Sequence, residues 1–411
     1  MVDVSAASSQ GWYGRLLLPD RVAVGRLTVE GDRIAAVLPD RDAAGDAAGA
    51  AAGAAVAGDA ATRAALAGDL PWIVPGYIDV HLHGGGGGDT MDGPDGVRRL
   101  AATHLRHGTT SLLASTLTAP WAEVLAALRG VAEVAAEPVN PHEPRAQVLG
   151  AHLEGPFINP RRLGAQPPHA IVPTAARIAE VLALDVVRTV TLAPEIDGVL
   201  AAATAFARAG VVVAVGHTLA DADTVARTFA AARAAAADAG EPAPVSATHL
   251  FNAMGGMSGR EPGVVGAVLG DPDAFAELIV DGFHVAPAAV RATFAAKPAR
   301  TLLITDAMRA TGLGDGPSVL GGAPVTVSGG AARLADGTLA GSVLTLDVAV
   351  RRAVAMGVPA EAALRAATAT PAALLRLRDR GRLNVGARAD LLVLAPDLTL
   401  TEVWQGGVRV A

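Results

Sequence analysis

The chain has 411 residues, 51% of them hydrophobic but only 3% aromatic, and no cysteine. Its core must be built from Ala, Val and Leu, disulfides and thiolate metal sites are excluded, and any metal has to be held by His, Asp and Glu. A net charge of −7 and a single lysine, Lys297, leave no basic tract to neutralise a nucleic-acid backbone, so a small-molecule partner is expected and nucleic acid is not.

From the N-terminus, MVDVSAASSQGWYG lacks a basic segment followed by an apolar core, and no signal peptide is expected. No apolar stretch approaches the roughly 18 uncharged residues of a membrane helix. A cytoplasmic protein with no membrane partner is the expectation. RVAVGRLTVEGDRIAAVLP then alternates apolar and polar residues around turn signals, which predicts short antiparallel strands. Residues 41–69, almost wholly Ala, Gly and Asp as in AAGDAAGAAAGAAVAGDAA, read as a flexible low-complexity insertion with too little apolar surface to order itself.

Eight short strand-like runs follow, each beside a longer Ala-rich stretch at helical spacing: YIDVHLH, TSLLAST, VLGAHLEG, TVTLAPE, VVVAVGH, VSATHLFN, ELIVDGFH and LLITDAM. Eight such units in about 230 residues predict an α/β fold, a (β/α)8 barrel, with a doubly wound open sheet as the alternative. The tail GRLNVGARADLLVLAPDLTLTEVWQGGVRV returns to alternation and predicts strands that join the N-terminal ones. The expected division is 1–70 and 379–411 as one small β domain made from both chain ends, and 71–378 as the barrel.

Six of the ten histidines (His81, His83, His152, His217, His249 and His284), with Glu154 and Asp306, fall at or near the C-terminal ends of these runs. In a barrel those ends meet at one rim, where active sites are built. Side chains alternate along a strand, so His81 and His83 share a side and can serve one ion, while Glu154, His217 and His249 can complete one or two sites nearby. A lone HxH pair is also compatible with packed histidines; the gathering at strand ends is what points to metal. His152 and Asp79 read as partners of the ligands rather than ligands. Gly84 to Gly88 read as a backbone that turns sharply and lets substrate approach; the sequence lacks the ending of a phosphate-binding P-loop. His104, His107 and His142 read as solvated. Asp306 ends a hydrophobic strand, either as a helix cap or as a base that takes the proton of a metal-bound water.

Taken together, PGYIDVHLHG, HLEGPF, VGHT, THLFNAM, GREPGVVGA, DGFHV, TDAM, GTLAGS and GRLNVGARADLLVL resemble the amidohydrolase superfamily and, within it, the N-acetylglucosamine-6-phosphate deacetylase family. The resemblance covers nearly the whole chain apart from the Ala/Gly insertion. It implies a metal-bearing (β/α)8 barrel with a small β-sandwich domain. Glu154, His217 and His249 match the principal metal ligands, His81 and His83 the superfamily pair that some members of this family lack, and Asp306 the general base and acid. Arg260 matches a phosphate-binding arginine, with Asn252 and Ala253 beside it. His284, together with Leu339, Ala340 and Gly341, matches substrate contacts. Ala165 and Gln166 match a further contact, where Gln166 departs from a histidine often found there and His169 offers a substitute.

The implied reaction is hydrolysis of the acetamide of N-acetylglucosamine 6-phosphate, in amino-sugar catabolism and cell-wall recycling. The implied cofactor is one or two divalent ions, Zn2+ first, with Fe2+, Mn2+ or Co2+ as alternatives, in a homodimer. The N-acetylgalactosamine 6-phosphate deacetylase and a cyclic-amide hydrolase are the rival activities. The latter's bridging lysine has only Lys297 to draw on, which the sequence places at the wrong end of its strand.

Overall fold

The computed structural model describes residues 10–40, 68–138, 140, 142–240 and 244–411. The expected flexible insertion lies outside them but for its last two residues. Apart from the two-residue strands Gly84–Gly85 and Gly88–Asp89, which pair with each other, the strands in chain order are β1 (Gln10–Leu17), β2 (Val22–Glu30), β3 (Arg33–Pro39) and β4 (Trp72–Pro75), then β5 (Tyr77–Leu82), β6 (Thr109–Ser115), β7 (Gln147–Glu154) and β8 (Val187–Leu192). After them come β9 (Val212–Val215), β10 (Val245–Ala247), β11 (Phe275–Ile279) and β12 (Thr301–Ile304). Three short strands follow, β13 (Gly316–Leu320), β14 (Ala323–Ser328) and β15 (Ala331–Arg333), and the chain ends with β16 (Leu391–Leu394), β17 (Leu400–Gln405) and β18 (Val408–Arg409).

Strands β5 to β12 form one eight-stranded sheet in sequence order, every neighbouring pair parallel. Each of the eight predicted runs is one of these strands. Helices alternate with them, among them Pro94–Leu105, Trp121–Ala135, Val199–Arg208, Ala222–Asp238 and Pro287–Ala296. The first and last strands meet: Asp306 N donates to His81 O at 2.9 Å and Thr305 Oγ1 to Asp79 Oδ2 at 2.6 Å. The barrel is thus all but closed. Its strands are buried on both faces, which is why they read as near-continuous Val, Leu and Ala runs.

The terminal residues make a separate unit, 1–76 with 378–411, the other unit being 77–377. Its sheet runs β18-β17-β16-β4-β1-β2-β3, and Leu16, Leu27, Ile34, Ile73 and Leu391 pack together in its core. Strand β4, counted with the barrel on sequence, pairs here with β1 and β16, so this unit extends to Gly76. No helix among the described residues is long and apolar enough to cross a membrane.

The antiparallel sheet β13-β14-β15 was not anticipated. Its signal was present: alternating residues flank Gly321–Gly322, a two-residue hairpin turn that pairs Leu320 with Ala323. Its apolar face packs Leu320, Val325, Val327 and Ala332 against Leu117, Met308 and Ala340.

Candidate metal centre and active site

Three of the candidate side chains are delivered by one local device. His217, His249 and Asp306 each stand two residues beyond the end of a barrel strand, and each has left-handed backbone, with φ of 49°, 32° and 49°. For residues with a Cβ this conformation costs on the order of 1–3 kcal/mol, and it persists where the surrounding fold over-determines it. It turns the side chain inward over the barrel mouth instead of along the strand. His81 and His83 come from the end of β5 and Glu154 from the end of β7, without that turn.

These six side chains converge. Glu154 Oε1 lies 3.2 Å from His217 Nε2, 3.0 Å from His249 Nε2 and 3.4 Å from His81 Nε2, and Oε2 lies 3.0 Å from His83 Nε2. Asp306 Oδ1 is 3.2 Å from His83 Nε2 and 3.6 Å from His81 Nε2. Two ligand groups result, His81–His83–Asp306 and Glu154–His217–His249, each with its donor atoms within 4.8 Å of one another. All six are buried.

The donor set fits metal. His217 Nδ1 donates to Arg162 O at 2.8 Å, and His81 Nδ1 faces Glu277 Oε2 at 3.0 Å, which fixes tautomers whose Nε2 lone pairs point inward. His217 Nε2 and His249 Nε2 stand 3.0 Å apart. Ligands about 2.0–2.1 Å from a tetrahedral Zn2+ have edges of about 3.3 Å, close to this triangle of two nitrogens and Glu154 Oε1. His81 Nε2 is buried without a hydrogen-bond partner.

Electrostatics point the same way. Burial alone would raise the Glu154 carboxyl, but the charge of His81 and the close contacts with His217 and His249 outweigh it and hold it well below the usual range. Burial likewise disfavours charge on His83, yet its contacts with Asp306 and Glu154 push it up to about 9. For Asp306 burial is again outweighed, here by the hydrogen bond with His83 and the charges of His81 and His83, and the carboxyl falls to about 2. A carboxylate ringed by imidazoles demands positive charge, supplied by protons or by cations.

Above this centre opens a cavity of about 190 Å³. It is lined by His83, Glu154, His217, His249 and Asp306, and by the expected substrate contacts Ala165, Gln166, Asn252, Ala253, His284, Leu339 and Gly341. Sequence reasoning missed Leu117, Gly164, Leu320 and Thr338, of which Leu320 comes from the unanticipated sheet. It also missed Glu277, which backs His81.

Not every candidate stands at the cavity wall. Arg260 is exposed, on the connection beyond Ala253, and does not line the cavity; Ala340 is fully buried in an apolar cluster instead. His169 lines a separate cavity with Asp89 and Arg309 and does not stand in for Gln166. His104 is not solvated: it is 0% exposed and its Nε2 bonds Gly84 O at 3.0 Å. That contact also revises the pentaglycine run, none of which lines the active-site cavity. Gly86 and Gly87 supply the turn, with φ of 59° and 86°, while a Cβ on Gly84 would sit 2.6 Å from Arg309 N and Gly88 O. Gly84 and Gly88 allow close backbone approach, while a Cβ on Gly85 or Gly86 would meet the side chain of His104 or Thr103. His152 is a buried neighbour of the ligands, as expected: its ring stacks edge-on against His81, with Nδ1 at Ser115 Oγ and Nε2 at Thr191 Oγ1. Lys297 Nζ donates to Asp271 O, ahead of β12 rather than beyond it.

Comparison with known proteins agrees with this architecture. A family model described as the amidohydrolase family matches residues 72–410. The chain is 40% identical, over 82% of its length and 88% of the relative's, to N-acetylgalactosamine-6-phosphate deacetylase of Escherichia coli O157:H7. It is 38% identical, over 79% and 81%, to N-acetylglucosamine-6-phosphate deacetylase of Bacillus subtilis (strain 168). A mutant of N-acetyl-D-glucosamine-6-phosphate deacetylase from Mycobacterium smegmatis, solved in complex with N-acetyl-D-glucosamine-6-phosphate, superposes with a TM-score of 0.81 at 38% identity, covering 98% of this chain and 99% of that one.

Proposed function

The chain belongs to the amidohydrolase family, and we propose that it hydrolyses the acetamide of N-acetylglucosamine 6-phosphate to glucosamine 6-phosphate and acetate. The observation that carries this reading is the position of Glu154, one carboxylate within 3.4 Å of four imidazole Nε2 atoms at the floor of a sugar-sized cavity. Two divalent cations, Zn2+ first, would be held by the groups Glu154, His217 and His249, and His81, His83 and Asp306. Bound there, they supply Lewis acidity to an amide carbonyl and acidify water.

Asp306 stands ionised with Oδ1 at the ligand cluster, and part of it faces the cavity. Its carboxylate takes a proton from the attacking water as the C–O bond forms, then gives that proton to the amine nitrogen as the C–N bond breaks. Lys297 cannot bridge two ions from the other end of its strand, which disfavours the cyclic-amide reading. His284, Asn252, Ala253, Leu339 and Gly341 position the sugar, and Arg260 supplies a cation for the phosphate from its exposed connection. The protein works in the cytoplasm as a homodimer.

The 40% identity to a galactosamine-type deacetylase favours a second reading in which the substrate is the galacto epimer. Acetate release from N-acetylglucosamine 6-phosphate, its galacto epimer and the unphosphorylated sugar, with and without added Zn2+, tests both. A preference for the first substrate supports the main reading, a preference for the second supports the epimer, and no metal-dependent release from any of them refutes both.

A further inference from the structure

Gln166 was expected to touch substrate, yet both ends of its amide are already engaged. Thr118 N donates to Gln166 Oε1 at 2.7 Å, and Gln166 Nε2 donates to Glu154 Oε2 at 2.7 Å. The first bond settles the second: a backbone N–H can only donate, so the amide oxygen faces Thr118 and the NH2 group must face the carboxylate. Thr118 follows β6 closely and is fully buried, and Gln166 is only 9% exposed. Both bonds are therefore made away from bulk water, where a lost partner is not cheaply replaced.

This contact makes the two oxygens of Glu154 unequal. Oε1 faces His217 and His249, with His81 Nε2 further off at 3.4 Å, whereas Oε2 faces His83 at 3.0 Å and carries the bond from Gln166. The terminal torsion of a glutamate is broad, so the carboxylate plane has to be fixed from outside. A fixed plane keeps Oε2 on His83 while Oε1 meets His217 and His249; a free one lets Oε2 turn away from His83.

We propose that Gln166 is a positioning residue that holds Glu154 as a bridge between the two ligand groups, and that it thereby governs occupancy of the group formed by His81, His83 and Asp306. The inference rests on the metal-dependent reading above. Hydrogen-bond partners of ligating carboxylates are worth about 10–100-fold in metal affinity, which sets the size of the effect.

The test is Gln166→Leu, which removes the donor at similar volume, with Gln166→Met as an unbranched second variant should leucine unsettle the fold. Metal-free protein is titrated with Zn2+ and with Co2+, reading bound metal by elemental analysis and the Co2+ absorption band. The expected result is two ions per wild-type chain, and in both variants one ion held as before while the other is held about 10–100-fold more weakly. Two ions held as tightly as in wild type, or both weakened equally, would overturn the proposal and leave the metal reading standing. A wild-type chain that binds fewer than two ions would overturn the proposal with the two-ion reading beneath it.

Discussion

The Nε2 atoms of His217 and His249 stand 3.0 Å apart, and both face the same oxygen of Glu154. With His217 Nδ1 already donating to Arg162 O, its Nε2 is a lone pair in the neutral ring, and a cation shared with His249 Nε2 and Glu154 Oε1 would satisfy all three atoms at once. Metal removal should therefore cost stability as well as activity. A ligand present at 100 times its dissociation constant adds about 2.7 kcal/mol to the folded state. Stripping metal with a chelator should lower Tm by several degrees and abolish acetate release, with both restored by added Zn2+. An unchanged Tm would speak against an ion between these residues.

Asp306 Oδ1 sits 3.2 Å from His83 Nε2 at the cavity floor, placed for proton transfer. Asparagine keeps the shape and an oxygen donor but cannot accept a proton. Asp306→Asn should reduce kcat by about 10²–10⁴-fold, with KM altered far less. Steady-state kinetics decide, and near-normal kcat would move the base elsewhere.

What could be read from the sequence and what could not divide along physical lines. All eight barrel strands were visible because strands buried on both faces are dominated by Val, Leu, Ile and Ala, and His81, His83, Glu154, His217, His249 and Asp306 were visible because polar residues ending such strands stand out. The left-handed turns at His217, His249 and Asp306 were not, since φ is imposed by tertiary packing and no residue type there announces it. His104 misled for a related reason: an amphipathic helix shows that one face is buried, but not that the buried edge of that face includes a histidine held by Gly84 O. For Gln166, the family resemblance suggested a sugar contact, and only the three-dimensional meeting of Thr118, Gln166 and Glu154 reveals the other use of its amide.

The packing of the glycine run makes Gly84 sensitive. An added Cβ would lie 2.6 Å from Arg309 N and Gly88 O and 2.8 Å from Arg309 Cα, backbone atoms that cannot simply swing away. Overpacking of this kind costs about 1–3 kcal/mol. Because His83 N and Gly84 N both donate to Ala307 O, the displacement should reach the ligands. Gly84→Ala should lower Tm and reduce metal content, whereas Gly87→Ala, with no atom closer than 3.9 Å, should cost only the strain of its φ of 86°. Thermal melts of the two variants make the comparison.

Asp281 holds His284 toward the cavity. Its Oδ1 accepts from Phe283 N and His284 N, and its Oδ2 lies 2.7 Å from His284 Nδ1, which leaves Nε2 as the ring's remaining polar atom. Burial would raise the Asp281 carboxyl, but the bond with His284 outweighs it and keeps it below the ordinary range. Asp281→Ala should therefore free the imidazole and raise KM for the phosphorylated sugar about tenfold, worth about 1.4 kcal/mol. The kcat should change less, because Asp281 does not touch the ligand groups. An equal fall in kcat at constant KM would place His284 in the chemical step instead.

His104 gives the fold a dependence on pH whose sign follows from burial. Its ring is fully buried beneath Gly84, and desolvation lowers its pKa from about 6.5 to about 4, only partly offset by the bond to Gly84 O. Between these values the unfolded chain binds a proton that the folded chain refuses, so stability rises with pH through this window and is lost as pH falls from about 6.5 toward about 4. A shift of that size corresponds to roughly 3 kcal/mol at the acid end. His152, also buried and lowered well below its ordinary value, acts in the same direction and remains in any His104 variant. His104→Gln retains a donor for Gly84 O and has no titration in this range. Its Tm should therefore fall less steeply than that of the wild type between pH 6.5 and 4, while the two stay close at pH 7.5. Parallel Tm profiles across that window would show that His104 takes up its proton in the folded state as readily as in the unfolded one, and that burial does not exclude the charge.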